Sequence, residues 1–360
     1  IYLAARTHTS TGGTDFFDNF FTRKLVDPEP THGSWGSEEQ AGVWQYRKSH
    51  VINSASGART DYQVRIKVHY GSGTDSGEDV YLNGKCRADF GDVRFTDDDG
   101  ITLLNYWMEE KVDGDYAVFW VKVADDLSVN PATIYIYYGN PSATTTSNIK
   151  AASLWGQGDD FNDNSRDTTI WDEHEVGAGI VSETNQRLEC YCPYNGDRAG
   201  YVSKDSRYID NCEIYVTVSQ TVVTELCLFI HTQKITNDEP YFYNDWYRVT
   251  LWTWEGWYGF YVQERISDTV NTLYVGNQLS SYEKIKIQVT DGTVRFLEQD
   301  TLRATTAFSL NTQNCYIYLA ARTHTSTGGT DFFDNFFTRK LVDPEPTHGS
   351  WGSEEAQPEA

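Results

Sequence analysis

Short runs in which apolar and polar residues alternate follow one another along most of the chain, and clusters of turn residues separate them. Between residues 44 and 140 the runs include DYQVRIKVHY, YAVFWVKV and ATIYIYYGN. Between residues 187 and 304 they include RLECYC, CEIYVTVS and EKIKIQVTDGTVRFLEQDTLRA. A period of two without helical periodicity is typical of strands in antiparallel sandwiches. The pattern predicts an all-β chain with two tandem antiparallel β-sandwich domains.

One stretch of the chain occurs twice, letter for letter. Residues 1–39 and residues 317–355 both read IYLAARTHTSTGGTDFFDNFFTRKLVDPEPTHGSWGSEE, at an offset of 316 residues. An identity of this length at a fixed offset indicates a recent duplication or a periodic polymer. The stretch begins with two aromatic-rich strand candidates joined by the turn STGGT, and two strands alone are marginal in water.

The two copies differ in what precedes them. The second copy follows a series of strand candidates that can complete a sheet, whereas a body outside this stretch must complete residues 1–27. The side chains expected to contact that body are Ile1, Tyr2, Leu3, Phe16, Phe17, Phe20 and Phe21.

The first half of the chain resembles a known family. The motifs WQYRK, HYGSGTDSGEDVYL, CRADFGDVRFTDDDG, LNYWMEE and IYIYYGNP occur in order over residues 44–148. Together they resemble an uncharacterised β-sandwich family found in large archaeal and bacterial surface proteins. The resemblance implies a surface domain and carries no known activity, so it assigns no catalytic residue.

The second half resembles a different fold. DDFND-x-S…W near residue 160 and D-x-x-DNF near residue 331 look like the first and last strands of a concanavalin A-like, laminin G-like jelly roll. The resulting division is a terminal strand pair (1–27), a linker (28–43), the uncharacterised sandwich (44–148), the jelly roll (149–343) and a linker to the next module (344–360). The two linkers are rich in Pro, Gly, Ser and Glu.

Charge and composition narrow the range of partners. The formal net charge is −23, which disfavours nucleic acid and anionic lipid. The chain has no run of 18 apolar residues, so we expect no membrane insertion in this stretch. The six cysteines form no CxxC pair, which argues against a zinc site. We expect an oxidising extracellular or cell-surface location with disulfide bridges within the second domain; buried free thiols are the alternative.

The jelly-roll resemblance implies a structural calcium site. Many such folds hold Ca²⁺ between the first and last strands through carboxylate and carbonyl oxygens. By that resemblance Asp160, Asn162 and Asp334 are the candidate ligands, with Asp331 in reserve. The alternative is that these side chains only cap turns or lie on a solvated face.

Glycan chemistry is the remaining candidate. Trp246, Trp252, Trp254 and Trp257 form an aromatic cluster that can stack on sugar rings, although alternate aromatic positions on strands are more often core or cross-strand pairs. A hydrolase needs two carboxylates on one face, and the nearest pattern is Glu264 with Asp268, without a third partner. We therefore expect no enzyme activity.

The sequence favours a structural module of an extracellular filament or surface array, built head to tail with a period of 316 residues. In a covalent version, residues 1–39 end the previous module. In a donor-strand version, separate subunits donate residues 1–27 to a neighbour. Covalent closure has the higher effective concentration and is favoured. The alternative function is a glycan-binding surface lectin or adhesin.

Overall fold

The computed structural model describes residues 44–219, 224–238, 240–254, 257–277, 283–326 and 328–357. Strands occupy most of this part of the chain, and one short helix, α1 (Ile149–Ala152), lies between two groups of strands. The predicted fold class, all-β with two tandem antiparallel sandwiches, is confirmed. Within the described residues no helix has the length and apolar character needed to cross a membrane.

The strands fall into a group before α1 and a group after it. The first group is β1 Tyr46–Ile52, β2 Tyr62–His69, β3 Asp79–Tyr81, β4 Arg94–Thr96, β5 Tyr106–Val112, β6 Tyr116–Val123 and β7 Ala132–Tyr138. The second group is β8 Trp171–Val176, β9 Ile180–Thr184, β10 Arg187–Cys192, β11 Arg198–Ser203, β12 Arg207–Tyr208, β13 Cys212–Ser219, β14 Thr224–His231, β15 Trp246–Trp254, β16 Trp257–Ile266, β17 Thr269–Val275, β18 Glu283–Thr290, β19 Thr293–Glu298, β20 Thr301–Ala307, β21 Asn314–Thr323, β22 Gly329–Lys340, β23 His348–Trp351 and β24 Glu355–Ala356. Short 3₁₀ turns occur at Leu154–Gly156 and Pro240–Phe242.

The first sandwich packs two sheets around one apolar core. One sheet has the order β3–β2–β6–β5, and in the other β7 lies between β1 and β4. Ile66, Phe119 and Ile136, from β2, β6 and β7, are at most 1% exposed in this core. Inward-facing positions of each strand carry the apolar residues because successive side chains of a strand point to opposite faces.

The second sandwich is larger, and its chain crosses repeatedly between two facing sheets. Its seven-stranded sheet has the order β20–β19–β18–β13–β22–β10–β9, and its eight-stranded sheet includes β17–β16–β15–β14–β21–β11–β8, with β12 also pairing with β21. Leu228 of β14, Ile287 of β18 and Phe333 of β22 are fully buried between the sheets.

The last long strands of the second sandwich occupy internal positions. β21 lies between β14 and β11, whereas β22 lies between β13 and β10 in the opposite sheet. The expectation of a strand pair that closes a single sheet therefore does not hold. Both strands have apolar residues facing the core between the sheets, so placing one in each sheet buries more apolar surface than a two-stranded ribbon does.

The segment that follows β22 differs from the linker expected over residues 344–360. It returns to the first sandwich, where β23 and β24 pair with β1 in antiparallel register. Trp351 lies opposite His50, and Glu355 lies opposite Arg47. The composition predicted a linker because Pro, Gly and Glu are common in linkers, but here a sheet edge supplies the backbone partners.

Candidate functional site

The repeated sequence closes both sandwiches. In its second copy it forms most of β21, all of β22 and β23, and the first residue of β24, and so contributes to three sheets. Residues 1–43, including the interface residues predicted there, lie outside the described residues. Their identical counterparts are buried or half-buried: Ile317, Tyr318, Leu319, Phe333, Phe336 and Phe337 are fully buried, and Phe332 is half-buried.

The segment 343–357, which we call the tail, docks on β1 through a stack of three rings. The imidazole of His50 lies against the ring of Trp351, with centroids 3.7 Å apart and an interplanar angle of 10°. The other neighbour is His348, whose Nδ1 is 2.8 Å from His50 Nε2, a distance that fits one shared hydrogen bond. The Trp351 indole Nε1 also donates to the carbonyl oxygen of Gly77 at 3.0 Å.

Three glutamates of the tail bind side chains of the first sandwich. Glu345 accepts a hydrogen bond from the Tyr62 hydroxyl at 2.8 Å. Glu354 accepts one from the Tyr138 hydroxyl at 2.8 Å. Glu355 pairs with the guanidinium of Arg47 at 2.7 Å. Most of these glutamate contacts are partly exposed, so the ring stack and the strand pairing contribute most of the docking energy.

The electrostatics of the ring stack favour neutral imidazoles. Burial, together with the neighbouring His348, lowers the pKa of His50 to about 3. Burial also lowers the pKa of His348. Protonation of either ring therefore opposes docking of the tail.

The two sandwiches contact each other at Glu109, whose side-chain direction is set by a β-bulge. The register between β5 and β6 shifts between Met108 and Glu110, so Glu109 is the extra residue. Its carboxylate accepts hydrogen bonds from Trp120 Nε1 and from the hydroxyl of Tyr215, both at 2.9 Å, and pairs with Lys284. Burial opposes ionisation of Glu109, but Lys284 and the hydrogen bonds from Trp120 and Tyr215 together outweigh it, and the pKa of the carboxyl falls below its usual value.

The repeated sequence also contributes to this junction. Phe337 packs against Trp107 at 4.9 Å and Trp120 at 5.9 Å between ring centroids. Two residues on, the buried guanidinium of Arg339 donates from Nε to Glu213 at 2.7 Å and from Nη1 to Glu345 at 2.5 Å. One arginine therefore links the seven-stranded sheet to the tail.

The outer face of the eight-stranded sheet carries a buried polar cluster. Glu225 on β14 pairs with Arg248 on β15 and lies 2.8 Å from His324. Arg248 also donates to the side chain of Gln263 on β16. Burial would raise the pKa of Glu225, but Arg248 and His324 hold it well below its usual range. The carboxylate is thus an ionised partner and a poor proton donor.

The structure separates the four predicted glycan-contacting tryptophans. Trp246 is fully buried, and its indole donates to the carbonyl oxygen of Tyr241. Trp252 is half-buried beside the polar cluster, 5.4 Å from Tyr261 and 5.8 Å from His324 between ring centroids. The side chains of Trp254 and Trp257 lie outside the described part of the chain; their backbones pair at the β15–β16 turn.

The predicted calcium ligands lie near one another. Asp159 and Phe336 form a β-bridge, which brings the strand of Asp334 close to Asp160. Burial, together with the charge of Asp160, raises the pKa of Asp334 to about 6. Oxygen donors at this position suit a hard cation.

The other two predicted calcium ligands are less well placed to bind a cation. The backbone N–H of Asn162 points back to Asp160 at 3.3 Å, and Asp331 is buried on β22. In the described ranges no group of three or more His, Cys, Asp or Glu side chains is arranged to hold a metal. The calcium site therefore stays a prediction.

The two carboxylates considered for hydrolysis have separate surroundings. Glu264 is 9% exposed and accepts hydrogen bonds from Asn271 and Thr306. Asp268 is exposed at the following turn and pairs with Arg265 at 2.7 Å.

The expected disulfide bridges are not formed. All six cysteines, each within the described residues, are buried free thiols. Cys190, Cys192, Cys212 and Cys315 belong to the core of the second sandwich, where each packs as a small apolar side chain. Burial raises the pKa of Cys192 and Cys315 to about 12, so these thiols stay protonated at neutral pH.

The docking of the tail is what sequence reasoning missed. A signal existed in the run THGSW, where His348 and Trp351 are large rings unusual in a solvated linker. The surrounding Pro, Gly and Glu residues are typical of linkers, so the segment was predicted as a linker despite these rings.

Comparisons with known proteins give one family match. A sequence profile described as a domain of unknown function (DUF2341) matches residues 89–174. Most of that range lies in the first sandwich, which agrees with the predicted uncharacterised β-sandwich domain. No curated protein matches the chain.

Several solved structures are similar to part of the chain. An endo-acting O-glycanase of human gut microbiota that initiates mucin breakdown has 14% identity and a TM-score of 0.42, covering 51% of this chain and 98% of that one. A protein of unknown function with a galectin-like fold from Bacillus subtilis has 11% identity and a TM-score of 0.41, covering 51% and 94%. A glycoside hydrolase family 16 endo-glucanase from Bacteroides ovatus has 11% identity and a TM-score of 0.40, covering 51% and 99%. Values this low assign no activity or ligand to this chain.

Proposed function

We propose that this chain is a structural module of an extracellular filament or cell-surface array, built head to tail from two-sandwich units with a period of 316 residues. The observation that carries the proposal is the position of the repeated sequence. In its second copy it supplies internal strands to both sheets of the second sandwich and an edge strand to the first. In a tandem array, the sequence that completes each module also precedes the next module. The two copies of the repeat have these two positions relative to the sandwiches.

The burial of the second copy supports a partner for the first. Ile317, Leu319, Phe333, Phe336 and Phe337 are fully buried by the sandwiches around them. The same side chains at residues 1–21 need an equivalent body, because exposing so much apolar surface to water is unfavourable. The positions on this body are already filled, so the partner is another module.

The internal positions of β21 and β22 favour the covalent version of the array. Donor-strand exchange would require a subunit to leave two central slots empty, one in each sheet. Each empty slot would leave the backbone groups of two flanking strands unpaired. A continuous polypeptide fills both slots from its own chain at high effective concentration.

Electrophoresis of the native assembly tests this function. After partial proteolysis, denaturing gels are expected to show a ladder whose step is 316 residues. Mass spectrometry of the rungs would place the cleavage sites between modules. A single band at 41.0 kDa without larger species would contradict the covalent array.

A glycan-binding role is the second candidate, and the polar cluster on the outer face favours it. Trp252 is half-buried next to Glu225, Arg248 and His324, which combines an aromatic ring with charged hydrogen-bonding groups. A glycan array with the intact chain tests it. Binding that disappears in Trp252→Ala and persists in Tyr194→Ala, an exposed aromatic control, would support this role; no binding to any glycan would remove it.

A further inference from the structure

One lysine of the first sandwich points into the space between its two sheets. Lys48 lies on β1 with its side chain on the same face as that of Ile52, since successive side chains of a strand alternate between faces. Ile52 belongs to the apolar core, and Lys48 itself is only 5% exposed. A lysine is seldom buried to this degree unless it has a charged partner.

The partner of Lys48 comes from the opposite side of the sandwich. Asp75 lies in the loop between β2 and β3, and its Oδ2 is 2.7 Å from Lys48 Nζ. Lys48 Nζ also donates to the carbonyl oxygen of Tyr81 on β3, at 2.7 Å. Because β1 belongs to the sheet with β7 and β4, and β3 to the sheet with β2, β6 and β5, these contacts bridge the two sheets.

The two oxygens of the Asp75 carboxyl have different neighbours. Oδ1 accepts a hydrogen bond from the backbone N–H of Tyr81 at 2.8 Å, whereas Oδ2 contacts the Lys48 amine. A carboxyl C–O bond is about 1.2 Å long, so Nζ lies at most about 4 Å from Asp75 Cγ. A nucleophilic nitrogen is therefore held near an electrophilic carbon, and a backbone donor is aimed at the oxygen that becomes negative when the two react.

We propose that Lys48 and Asp75 condense into an amide bond between Nζ and Cγ, which joins the two sheets of the first sandwich covalently. The reaction converts an amine and a carboxylic acid into an amide and water. It requires no oxidant, reductant or further reactant.

The atoms and electrons balance within the pair. One proton passes from Nζ to Oδ2 along their hydrogen bond, which leaves a neutral amine and a carboxylic acid. The lone pair of Nζ attacks Cγ, and an electron pair of the Cγ–Oδ1 double bond moves to Oδ1, beside the N–H of Tyr81. A second proton passes from Nζ to Oδ2, the Cγ–Oδ1 double bond forms again, and Oδ2 leaves as water.

Burial favours the amide over a permanent ion pair. The side chains of Lys48 and Asp75 are 7% and 17% exposed, and keeping two charges away from water is costly, whereas an amide is neutral. Lys150 and Asp167 make the same contact at 2.6 Å, but their side chains are 43% and 28% exposed. This exposed pair is a matched control within the same chain, since it has the same groups and a similar distance and is open to water.

The amide bond encloses residues 48–75 and prevents the two sheets from separating. Its role in resisting tension rests on the proposed function, because modules of an array are pulled through their neighbours. When a single chain is stretched, the enclosed segment does not extend. The wild type is therefore expected to reach a length shorter by roughly 90 Å than that of Lys48→Arg.

The mass of the intact, denatured chain tests the bond. Wild-type protein purified in the folded state is expected to be lighter than its sequence by one water molecule. Tryptic digestion should give the peptides that contain Lys48 and Asp75 as one joined species. Fragmentation of that species locates the bond and distinguishes it from loss of water at an Asp-Gly sequence such as Asp291-Gly292.

Two variants complete the measurement. Lys48→Arg keeps the positive charge without a primary amine, and Asp75→Ala removes the carboxyl group, so both are expected to have the full mass of their sequences. The peptides of Lys150 and Asp167 should remain separate in all three proteins.

Three results would overturn the inference: folded wild-type protein of full mass, a loss of water that persists in Lys48→Arg, or an equal degree of linkage at Lys150 and Asp167. The first of these needs no variant, so the test does not depend on how well a variant folds. None of them alters the expected ladder of 316-residue steps, so failure of the cross-link is distinguishable from failure of the array.

Discussion

The ring of Trp351 lies flat on the imidazole of His50, with 3.7 Å between their centroids. The two residues are 301 positions apart: His50 lies on β1, the first strand of the first sandwich, and Trp351 lies on β23, after the last strand of the second sandwich. Their contact fastens the tail to β1 and so returns the chain to the place where the described body begins. The first strand of the first sandwich and the segment that follows the second sandwich therefore pair at one sheet edge.

Removing the ring of Trp351 is expected to release the tail while both sandwiches stay folded. Trp351→Ala should lower the free energy of docking by about 1–2 kcal/mol, from lost stacking and apolar burial. Limited proteolysis should then cleave within residues 343–357 faster than in the wild type. Tyr194→Ala, which removes an exposed aromatic side chain of the second sandwich, is the control and should leave that cleavage rate within about twofold. Equal protection of the tail in both variants would contradict the role of the stack.

Acid is expected to release the tail. The pKa of His50 is lowered to about 3 when the tail is docked and returns toward 6.5 when it is free. Between these values the undocked state binds more protons, so docking weakens as pH falls from about 6.5 toward 3, by up to about 1.4 kcal/mol per pH unit for one proton. Proteolysis of the tail as a function of pH measures this.

The matched control for acid release replaces the titrating ring. His50→Asn should flatten the pH profile between about pH 7 and pH 4, although docking at neutral pH is weaker. The charged groups near His348 are Glu78, Asp79 and Arg65. Retention of the acid-induced release in His50→Asn and in His348→Asn would assign it to those groups instead.

Glu109 is expected to hold the two sandwiches together. Glu109→Gln removes the charge that pairs with Lys284 and weakens the hydrogen bond from Tyr215, which should cost about 1–3 kcal/mol. Calorimetry should show a lower unfolding temperature and a broader or divided transition, because the sandwiches lose coupling. Glu110→Gln, a change at the exposed neighbour, is the control. A Glu109→Gln profile identical to that of the control would contradict the coupling.

Substitutions of Glu213 and Arg339, which form a buried ion pair, are expected to change the free energy of unfolding in a strongly non-additive way. Burial alone would raise the pKa of Glu213, but Arg339, with smaller contributions from Lys286 and Gln288, lowers it to about 2. Arg339→Met leaves that carboxylate without its main partner and should cost about 3–5 kcal/mol. The double variant with Glu213→Gln should recover at least about 1 kcal/mol of this loss. Urea unfolding of the four proteins in the cycle measures the coupling, and strictly additive changes would refute it.

Calcium is expected to bind at Asp160 and Asp334 if these carboxylates form the site that the sequence predicts. Asp334 has its pKa raised to about 6, so its protonated form stabilises the fold, and that contribution is lost as pH rises through 6. Adding Ca²⁺ at about pH 7 should restore stability by neutralising the crowded charge. Thermal unfolding with and without Ca²⁺ measures the effect, which should vanish in Asp334→Asn and persist in Asp163→Asn.

The alternation of apolar residues determined the strand content, the two-sandwich division and the core, since a buried face of a strand must be apolar at every second position. Identity of residues 1–39 and 317–355 revealed the repeat without any knowledge of the fold. Tertiary structure alone decided that β21 and β22 lie in opposite sheets, because both placements satisfy the same alternation. It also decided that the tail is a strand: THGSW has no apolar alternation of its own, and its pairing depends on the rings and backbone groups that β1 presents to it. The sequence also did not predict the bulge at Glu109 or the absence of disulfide bridges among the cysteines of the described residues. Each depends on neighbours that are distant in sequence and close only in the folded chain.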